Sequence, residues 1–183
     1  MSVNELDTWQ LNTWAMENRS AIVGFYGAGY NNVMNTDDSS PSNIARPSTR
    51  RKRGVVGVIF RDEKLCIIRR SLTVTAPGRL CLPGGGIEQG ETESQALVRE
   101  MQEELAIDVR PIRRCWRSVT SWGTNLAWWL AELDDSVEPV PNPDEVAEVH
   151  WMNAQEIRSA KGMLASLPEF MDAWERGEID LTV

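Results

Sequence analysis

The chain has few of the residues that mark several common classes of protein. It carries a single histidine, and its three cysteines, Cys66, Cys81 and Cys115, lack the paired spacing of a zinc site or a redox dithiol. No apolar run approaches the roughly 20 residues that cross a bilayer, and the amino terminus lacks an early basic cluster. These absences favour a cytoplasmic protein with reduced cysteines, and they argue against a membrane span or a secretory signal.

An excess of positive charge is also missing. The chain has 27 acidic and 19 basic residues among 183, which gives a net charge of -8. Proteins that capture nucleic acids electrostatically usually carry a basic face, so a nucleic-acid partner is disfavoured. The basic run 50–53 precedes a predicted strand and is more typical of a solvated boundary than of a localisation signal. A small phosphorylated substrate held through a metal remains compatible with this charge.

Residues 1–49 differ from the rest in composition and periodicity, and we interpret them as an extension with a linker. Within them a short helix is predicted over 5–18, whereas 24–47 is rich in Gly, Asn, Ser and Pro and shows no periodicity. Tryptophans in the extension are unfavourable in water, so the extension is expected to dock on the domain or on a second subunit. Residues 50–183 are interpreted as one domain.

The hydrophobic pattern becomes regular after the basic run. Short β-branched runs on either side of a polar turn predict a hairpin over 55–60 and 65–68. Thr92 and Gln95 form a capping box, in which two side chains bond the first free amides of a helix. Further strands are predicted over 80–82, 107–119, 126–133 and 146–151, and helices over 93–105 and from Asn153 and Pro168.

The predicted helix 93–105 has one apolar face and one acidic stripe beside it. On a helical wheel the residues that share a face with Leu97 are apolar, and Glu100, Glu103 and Glu104 form a contiguous stripe of carboxylates. Like charges at this spacing destabilise a helix unless a cation lies between them. Hard oxygen donors favour Mg²⁺ or Mn²⁺, so the stripe is a candidate metal site.

An acidic stripe alone is more often a solvated helix face than a metal site. Here its surroundings favour the metal site. The run 84–86 consists of three glycines, which let the backbone approach a ligand closely. Glu91 precedes the helix, and Arg99 lies beside the stripe as an internal counter-ion.

The stretch from Gly85 to Ile107 resembles the Nudix box of the MutT-like pyrophosphohydrolases. One position departs from the box, because Ala106 stands where the family has glycine at a left-handed helix end. The resemblance extends more loosely over 54–174 through the order of strands. The positions that match the box are Gly85, Glu91, Arg99, Glu100, Met101, Glu103, Glu104 and Ile107.

The resemblance implies an α/β/α sandwich built on a mixed sheet, in which the box forms a loop, a helix and a loop. It also implies that Glu100, Glu103 and Glu104, with the Gly85 carbonyl, hold Mg²⁺ or Mn²⁺ against a diphosphate. Among these ligands Glu103 is the first choice.

The implied activity is cleavage of a pyrophosphate bond in a nucleoside diphosphate linked to another moiety, by attack of metal-activated water. Cleavage of a nucleoside triphosphate to monophosphate and pyrophosphate is one such reaction. Arg99 is expected to orient Glu91 through an ion pair. Family members place the general base either in the box or on a later loop; on that loop Glu145 is the first choice and Glu148 the second.

Candidates for contact with the rest of the substrate are two arginines and three tryptophans. Arg70 and Arg79 occupy places where relatives carry basic residues, and each either pairs with a phosphate or is a surface charge. Trp128 and Trp129 are adjacent on a predicted strand and must point to opposite faces, so one of them is expected in the core. The other, or Trp122, is a candidate to stack on a base.

The substrate stays open at this point. Residues 122–125 lack the Pro and Tyr that mark ADP-ribose and dinucleoside-polyphosphate hydrolases in the family. The sole histidine, His150, is expected to be structural, and a homodimer is expected by analogy with relatives. The alternative function is a Nudix-fold module that senses a nucleotide without hydrolysing it. Such modules usually lose box carboxylates, which this chain retains.

Overall fold

The computed structural model describes residues 51–182, in which a six-stranded sheet is packed between helices. The strands are β1 (Arg53–Arg61), β2 (Lys64–Arg70), β3 (Leu80–Cys81), β4 (Arg110–Val119), β5 (Asn125–Glu132) and β6 (Val146–Met152). The helices are α1 (Glu93–Leu105), α2 (Ala154–Ser159) and α3 (Ser166–Glu175). The helix predicted over 5–18 and the boundary of the extension lie outside the described residues. Within 51–182, no helix is long and apolar enough to cross a membrane.

The sheet is mixed, and β1 is at its centre. The strand order is β3-β2-β1-β5-β4, with β6 paired along β2. β1 and β5 run parallel, whereas the other pairs are antiparallel. Residues 54–59 of β1 are all buried, which fits a continuous apolar run covered on both faces.

Helices cover both faces of the sheet, α1 on one and α2 with α3 on the other. Leu97 and Met101 of α1 pack in a buried cluster with Val55 and Ile59 of β1. On the opposite face α3 contributes to a second cluster, in which the Phe170 ring stacks on Trp128 at 4.8 Å between centroids. This arrangement confirms the predicted α/β/α sandwich and the mixed sheet. The three cysteines are free, as expected.

The boundaries of α1 match the sequence prediction because its start and stop signals are local. Both hydrogen bonds of the capping box between Thr92 and Gln95 are present. The predicted starts of two further elements, β4 and α3, were wrong. β4 begins at Arg110 rather than at 107, because the chain first has to leave the left-handed end of α1. α3 begins at Ser166, which places Pro168 within the first turn, where its missing amide costs no helical hydrogen bond.

Replacing Ala106 by glycine is expected to stabilise the domain by about 1 kcal/mol. Ala106 is exposed and ends α1 with φ 54° and ψ 35°, a left-handed conformation that strains any residue with a Cβ. Urea denaturation of the two proteins measures the difference in the free energy of unfolding. An equal or lower value for Ala106→Gly would show that this helix end carries no strain.

Candidate active site

Three carboxylates meet where α1 approaches the three glycines 84–86 beside β1. One oxygen from each of Glu100, Glu104 and Glu145 lies within 4.8 Å of the others. Glu100 and Glu104 are one helical turn apart, and Glu145 comes from the loop that precedes β6. Among the described residues, no other three Asp, Glu, His or Cys side chains lie close enough together to share a metal ion. We name it the acid cluster.

The acid cluster is unfavourable without a cation. Glu104 is only 3% exposed, and burial raises its pKa to about 8. Burial also raises the pKa of Glu100, against the hydrogen bond from Arg99, which lowers it. A carboxyl group that is shielded from water beside other carboxyls resists ionisation, and a divalent cation removes that penalty. The donor set consists of hard oxygens, so it fits Mg²⁺ or Mn²⁺.

Arg99 of α1 binds two residues that precede the helix, Gly86 and Glu91. Its guanidinium donates to both oxygens of Glu91, at 2.8 and 3.0 Å, which is the ion pair expected from the sequence. It also donates to Glu100 at 2.9 Å and to the carbonyl of Gly86 at 2.7 Å. The hydrogen bond from Arg99 is the main reason why the pKa of Glu91 lies below its ordinary value. Arg99 therefore fixes the position of Glu100 through one of its two carboxylate oxygens.

Glu103, the first choice among the metal ligands, is not a member of the acid cluster. Its side chain is half-exposed and accepts a hydrogen bond from Arg99 at 2.8 Å. Since the same guanidinium nitrogen also binds Glu100, Glu103 lies beside the acid cluster rather than within it. Glu104, at the buried border of the acidic stripe, has the more central position. Its Oε2 accepts the amide of Gly84 at 2.8 Å.

Residues 84–86, which we name the glycine loop, lie very close to the acid cluster. The amide of Val55 donates to the carbonyl of Gly85 at 2.9 Å, so β1 anchors the loop and one lone pair of that carbonyl remains. A Cβ on Gly85 would lie 2.4 Å from an oxygen of Glu100. A Cβ on Gly84, whose φ is +142°, would lie 2.2 Å from the carbonyl oxygen of Val55. The two glycines are required for this close approach.

Gly85→Ala is expected to lower turnover by about a hundredfold, because its methyl group displaces the Glu100 carboxylate. Gly86→Ala is the matched control, since a Cβ there meets nothing within 4 Å. We expect the control to retain turnover within about twofold, as for other open surface positions. Steady-state kinetics on both variants make the comparison. Equal losses in the two would show that the approach of Gly85 to Glu100 is irrelevant.

The loop 134–145 positions Glu145 by docking on the end of α1. The amide of Val140 donates to the carbonyl of Leu105, and the amide of Asn142 donates to that of Glu104, each at 2.8 Å. These carbonyls have no partner within the helix, so the loop satisfies the end of α1. Glu145 is thereby carried to the acid cluster.

Arg61 holds the same loop from the opposite side, and sequence analysis missed it. Its guanidinium donates to Glu138 at 2.7 Å and to the carbonyl of Val137, and it stacks over Trp151 at 4.5 Å. In the sequence Arg61 belongs to a polar hairpin turn, and no local signal connects it with a residue 77 positions away. Only the tertiary fold brings Arg61 into contact with the loop 134–145.

Glu148, the second choice for the base, and His150, expected to be structural, have different surroundings from Glu145. Glu148 is exposed and pairs with Arg69 at 2.7 Å and with His150 at 2.9 Å. The hydrogen bond from Arg69 is the main reason why the pKa of Glu148 lies below its ordinary value. His150 lies on β6 opposite Ile67 of β2, within the strand pairing. Neither Glu148 nor His150 belongs to the acid cluster.

A cavity of about 240 Å³ opens beside the glycine loop. Trp122 and Trp128 line it, and so does Arg70, whose positive charge acts on Glu104. Trp128 is buried, as expected for one of the adjacent tryptophans, whereas Trp122 is 62% exposed. Arg79 is exposed and is not among the lining residues. The carboxylates of the acid cluster do not line the cavity, but Gly84, which donates to Glu104, and Gly85, which lies against Glu100, do.

Comparisons with known proteins agree with this geometry. The family model for the NUDIX domain matches residues 50–174. A Nudix hydrolase from Deinococcus radiodurans is 29% identical over 154 residues, covering 74% of this chain and 89% of that protein. An 8-oxo-dGTP diphosphatase from Escherichia coli is 45% identical over 53 residues, which cover 28% of this chain and 41% of that protein. A crystal structure of a MutT protein from Methanosarcina mazei superposes with a TM-score of 0.61 at 19% identity, covering 69% of this chain and 94% of that one.

The family model covers more than half of the chain, including the glycine loop, α1 and the acid cluster. The chain therefore belongs to the Nudix family and is a hydrolase that acts on pyrophosphate bonds.

Proposed function

We propose that the protein is a Mg²⁺- or Mn²⁺-dependent hydrolase of a nucleoside diphosphate linked to another moiety, with nucleoside triphosphates as the first substrates to consider. The observation that carries the proposal is the acid cluster in contact with the glycine loop, which lines a cavity that also has an aromatic wall. The carboxylates of the acid cluster would hold a divalent cation, whose charge would offset their repulsion of a diphosphate. The name of the Escherichia coli relative, an 8-oxo-dGTP diphosphatase, supports a purine nucleoside triphosphate.

In this proposal the residues of the acid cluster and its border have distinct roles. Glu100, Glu104 and the free lone pair of the Gly85 carbonyl bind the divalent ion, and Glu103 is a further ligand at the border. When bound, the ion supplies Lewis-acid chemistry that offsets negative charge on the phosphate oxygens and makes water more acidic. Glu145 accepts the proton of the attacking water, because it shares the acid cluster but comes from a separate loop.

The neighbouring basic residues orient the site and bind phosphate. Arg99 fixes Glu91, the Gly86 carbonyl and one oxygen of Glu100, so that Glu100 keeps its other oxygen for the ion. Arg70 lines the cavity next to the acid cluster and donates its Nε hydrogen to the carbonyl of Thr75 at 2.8 Å. Its remaining donors are suited to a non-bridging phosphate oxygen. The exposed position of Arg79 favours a surface charge.

A release assay tests the proposed activity. Nucleoside triphosphates including 8-oxo-dGTP, nucleotide sugars, ADP-ribose and dinucleotides are incubated with Mg²⁺ or Mn²⁺, and the phosphate-containing products are quantified. We expect cleavage of at least one class, and no cleavage when EDTA replaces the metal. The absence of any cleavage with either ion would contradict the proposal and favour the alternative, a nucleotide-sensing module. The retained carboxylates of the acid cluster argue against that alternative.

Trp122 is expected to bind the base of the substrate. It lies in the turn between β4 and β5, where Thr120 accepts the amide of Thr124 at 3.0 Å, and its exposed ring stands at the cavity mouth. Stacking on a base is worth roughly 1–3 kcal/mol, so Trp122→Ala should raise KM about tenfold with little change in kcat. Trp122→Phe retains a stacking surface and is the control. An unchanged KM in Trp122→Ala would place the base elsewhere.

The cytoplasmic location, the homodimer and the docking of the extension stay predictions. Residues 1–50 lie outside the described part of the chain, so the contacts of the extension have to be tested in solution. Comparison of the full chain with a variant that lacks residues 1–49, by analytical ultracentrifugation, tests whether the extension contributes to self-association.

A further inference from the structure

Three arginines converge on one glutamate at the start of α1. Arg53 of β1 and Arg114 and Arg117 of β4 lie 3.8, 3.0 and 2.9 Å from the carboxylate of Glu93. The indole of Trp129 also donates to Glu93, at 3.1 Å. Glu93 is largely buried, and both of its oxygens accept hydrogen bonds: Oε2 from Arg114 and Trp129, and Oε1 from Arg117. We name Arg53, Arg114 and Arg117 the arginine cluster.

An irregularity in β4 creates the arginine cluster. Side chains three positions apart on a regular strand point to opposite faces, which would separate Arg114 from Arg117. The pairing of β4 with β5 shifts register between Arg114 and Trp116. This bulge turns Trp116 toward Trp128 on the α3 face and brings both arginines to the α1 face.

The arginine cluster has more positive charge than Glu93 can neutralise. Three guanidinium groups face one carboxylate, so two positive charges remain in a chain whose net charge is -8. The arginine side chains are 42% to 59% exposed. Each guanidinium has five N–H donors, and Glu93 accepts from only a few of them. Solvent-facing donors are therefore available to a second anion.

The arginine cluster adjoins the proposed substrate site. Arg53 is one of the residues that line the cavity, and Lys52 lines it as well. The carbonyl of Arg53 accepts the amide of Ile87 at 3.1 Å, directly after the glycine loop. A nucleotide with its pyrophosphate at the acid cluster and its base against Trp122 would thus have Lys52 and Arg53 at the same cavity wall. Arg114 and Arg117 do not line the cavity and are linked to it through Glu93 and Arg53.

We propose that the arginine cluster binds a phosphate group of the substrate that is separate from the pyrophosphate being cleaved. The inference rests on the proposed function and narrows it: among nucleoside diphosphates linked to another moiety, it favours those with a second phosphate remote from the pyrophosphate over simple nucleoside triphosphates. A phosphomonoester on the ribose or the first phosphodiester of a short oligonucleotide supplies this chemistry. The negative charge of the whole chain opposes a long nucleic acid, since repulsion acts beyond the arginine cluster.

Binding of nucleotides without a pyrophosphate bond tests the inference. Adenosine 5′-monophosphate, adenosine 3′,5′-bisphosphate and a 5′-phosphorylated dinucleotide are titrated by calorimetry with Mg²⁺ present, and no turnover is possible. We expect one of the two probes with a second phosphate to bind about tenfold more tightly than the monophosphate, as charge-assisted contacts from arginine allow. The probe that gains affinity distinguishes a ribose phosphate from a phosphodiester.

Variants test whether the gain in affinity depends on the arginine cluster. The double variant Arg114→Gln/Arg117→Gln should lose the tenfold gain, and its binding should depend less on salt than that of the wild type, since two screened charge contacts are gone. Arg110→Gln is the matched control, because Arg110 lies on the same strand but pairs with Glu132. Circular dichroism and thermal unfolding verify that each variant is folded, and the conservative variant Arg114→Lys/Arg117→Lys retains the charges and should retain part of the gain.

Two results would overturn the inference. One is equal affinity of the wild-type protein for the monophosphate and for both other probes. The other is a gain that persists in the folded double variant or that disappears equally in Arg110→Gln. Because none of the probes is cleaved, these results are independent of the release assay. A failure of hydrolysis is therefore distinguishable from a failure of the second phosphate site.

Discussion

Replacing Glu104 by glutamine is expected to lower turnover by about a thousandfold and to stabilise the metal-free protein by roughly 0.5–2 kcal/mol. Turnover falls because a neutral amide is a poor ligand for a divalent ion at the centre of the acid cluster. Stability rises because the variant no longer holds a buried carboxylate beside Glu100 and Glu145. The amide oxygen of glutamine can still accept the amide of Gly84.

The pH dependence of stability gives this prediction a definite sign. The pKa of Glu104 in the folded protein is about 8, above its ordinary value of 4.5. Between these values the folded state binds a proton that the unfolded chain does not, so this group's contribution to stability decreases as pH rises toward 8. Thermal unfolding in EDTA across this range should show that decrease in the wild type and a smaller one in Glu104→Gln. A variant that is less stable than the wild type at every pH would contradict the expected repulsion.

Glu145→Gln is expected to lower kcat by about a hundredfold to ten-thousandfold, the range for loss of a general base. Glu145 is the member of the acid cluster that does not belong to α1, and its loop is fixed by backbone hydrogen bonds to the end of that helix. Steady-state kinetics give kcat and KM for the variant. The main loss should be in kcat, because Glu145 acts on water rather than on the nucleoside.

Glu148→Gln is the matched control for Glu145→Gln. Glu148 lies three residues further along, on the surface of β6, and is already paired with Arg69 and His150. We expect its turnover to stay within about twofold of the wild type, since substitutions of exposed side chains far from a site have small effects. If Glu148→Gln were the more damaging variant, the assignment of the later base would be reversed.

Local signals explain how much of the box could be predicted from the sequence. The capping box at Thr92, the apolar face of α1 and its end at Leu105 depend on neighbouring residues, and all three are present. On a helical wheel that turns about 100° per residue with Leu97 at zero, Glu104 and Glu100 fall at roughly 340° and 300° and Glu103 at roughly 240°, so Glu103 is the farthest from the buried face. The structure follows that order, since Glu104 and Glu100 are buried whereas Glu103 is half-exposed. The first choice of Glu103 came from the resemblance rather than from the wheel.

Contacts between distant parts of the chain could not be predicted. The position of Glu145 depends on Arg61, which is separated from its partner Glu138 by 77 residues. The arginine cluster depends on the bulge in β4, and strand periodicity alone would have placed Arg114 and Arg117 on opposite faces. The basic run 50–53 was interpreted as a solvated boundary, yet Arg53 contacts Glu93 and lines the cavity. These features arise from tertiary packing, which a periodic pattern does not encode.

Binding of Mn²⁺ followed by electron paramagnetic resonance is the most direct test of the acid cluster as a metal site. The wild type and Glu148→Gln are expected to bind the ion with the same affinity, whereas Glu100→Gln and Glu104→Gln should each weaken binding by at least about tenfold. Equal Mn²⁺ affinity in all four proteins would contradict the central claim that these buried carboxylates hold the catalytic metal.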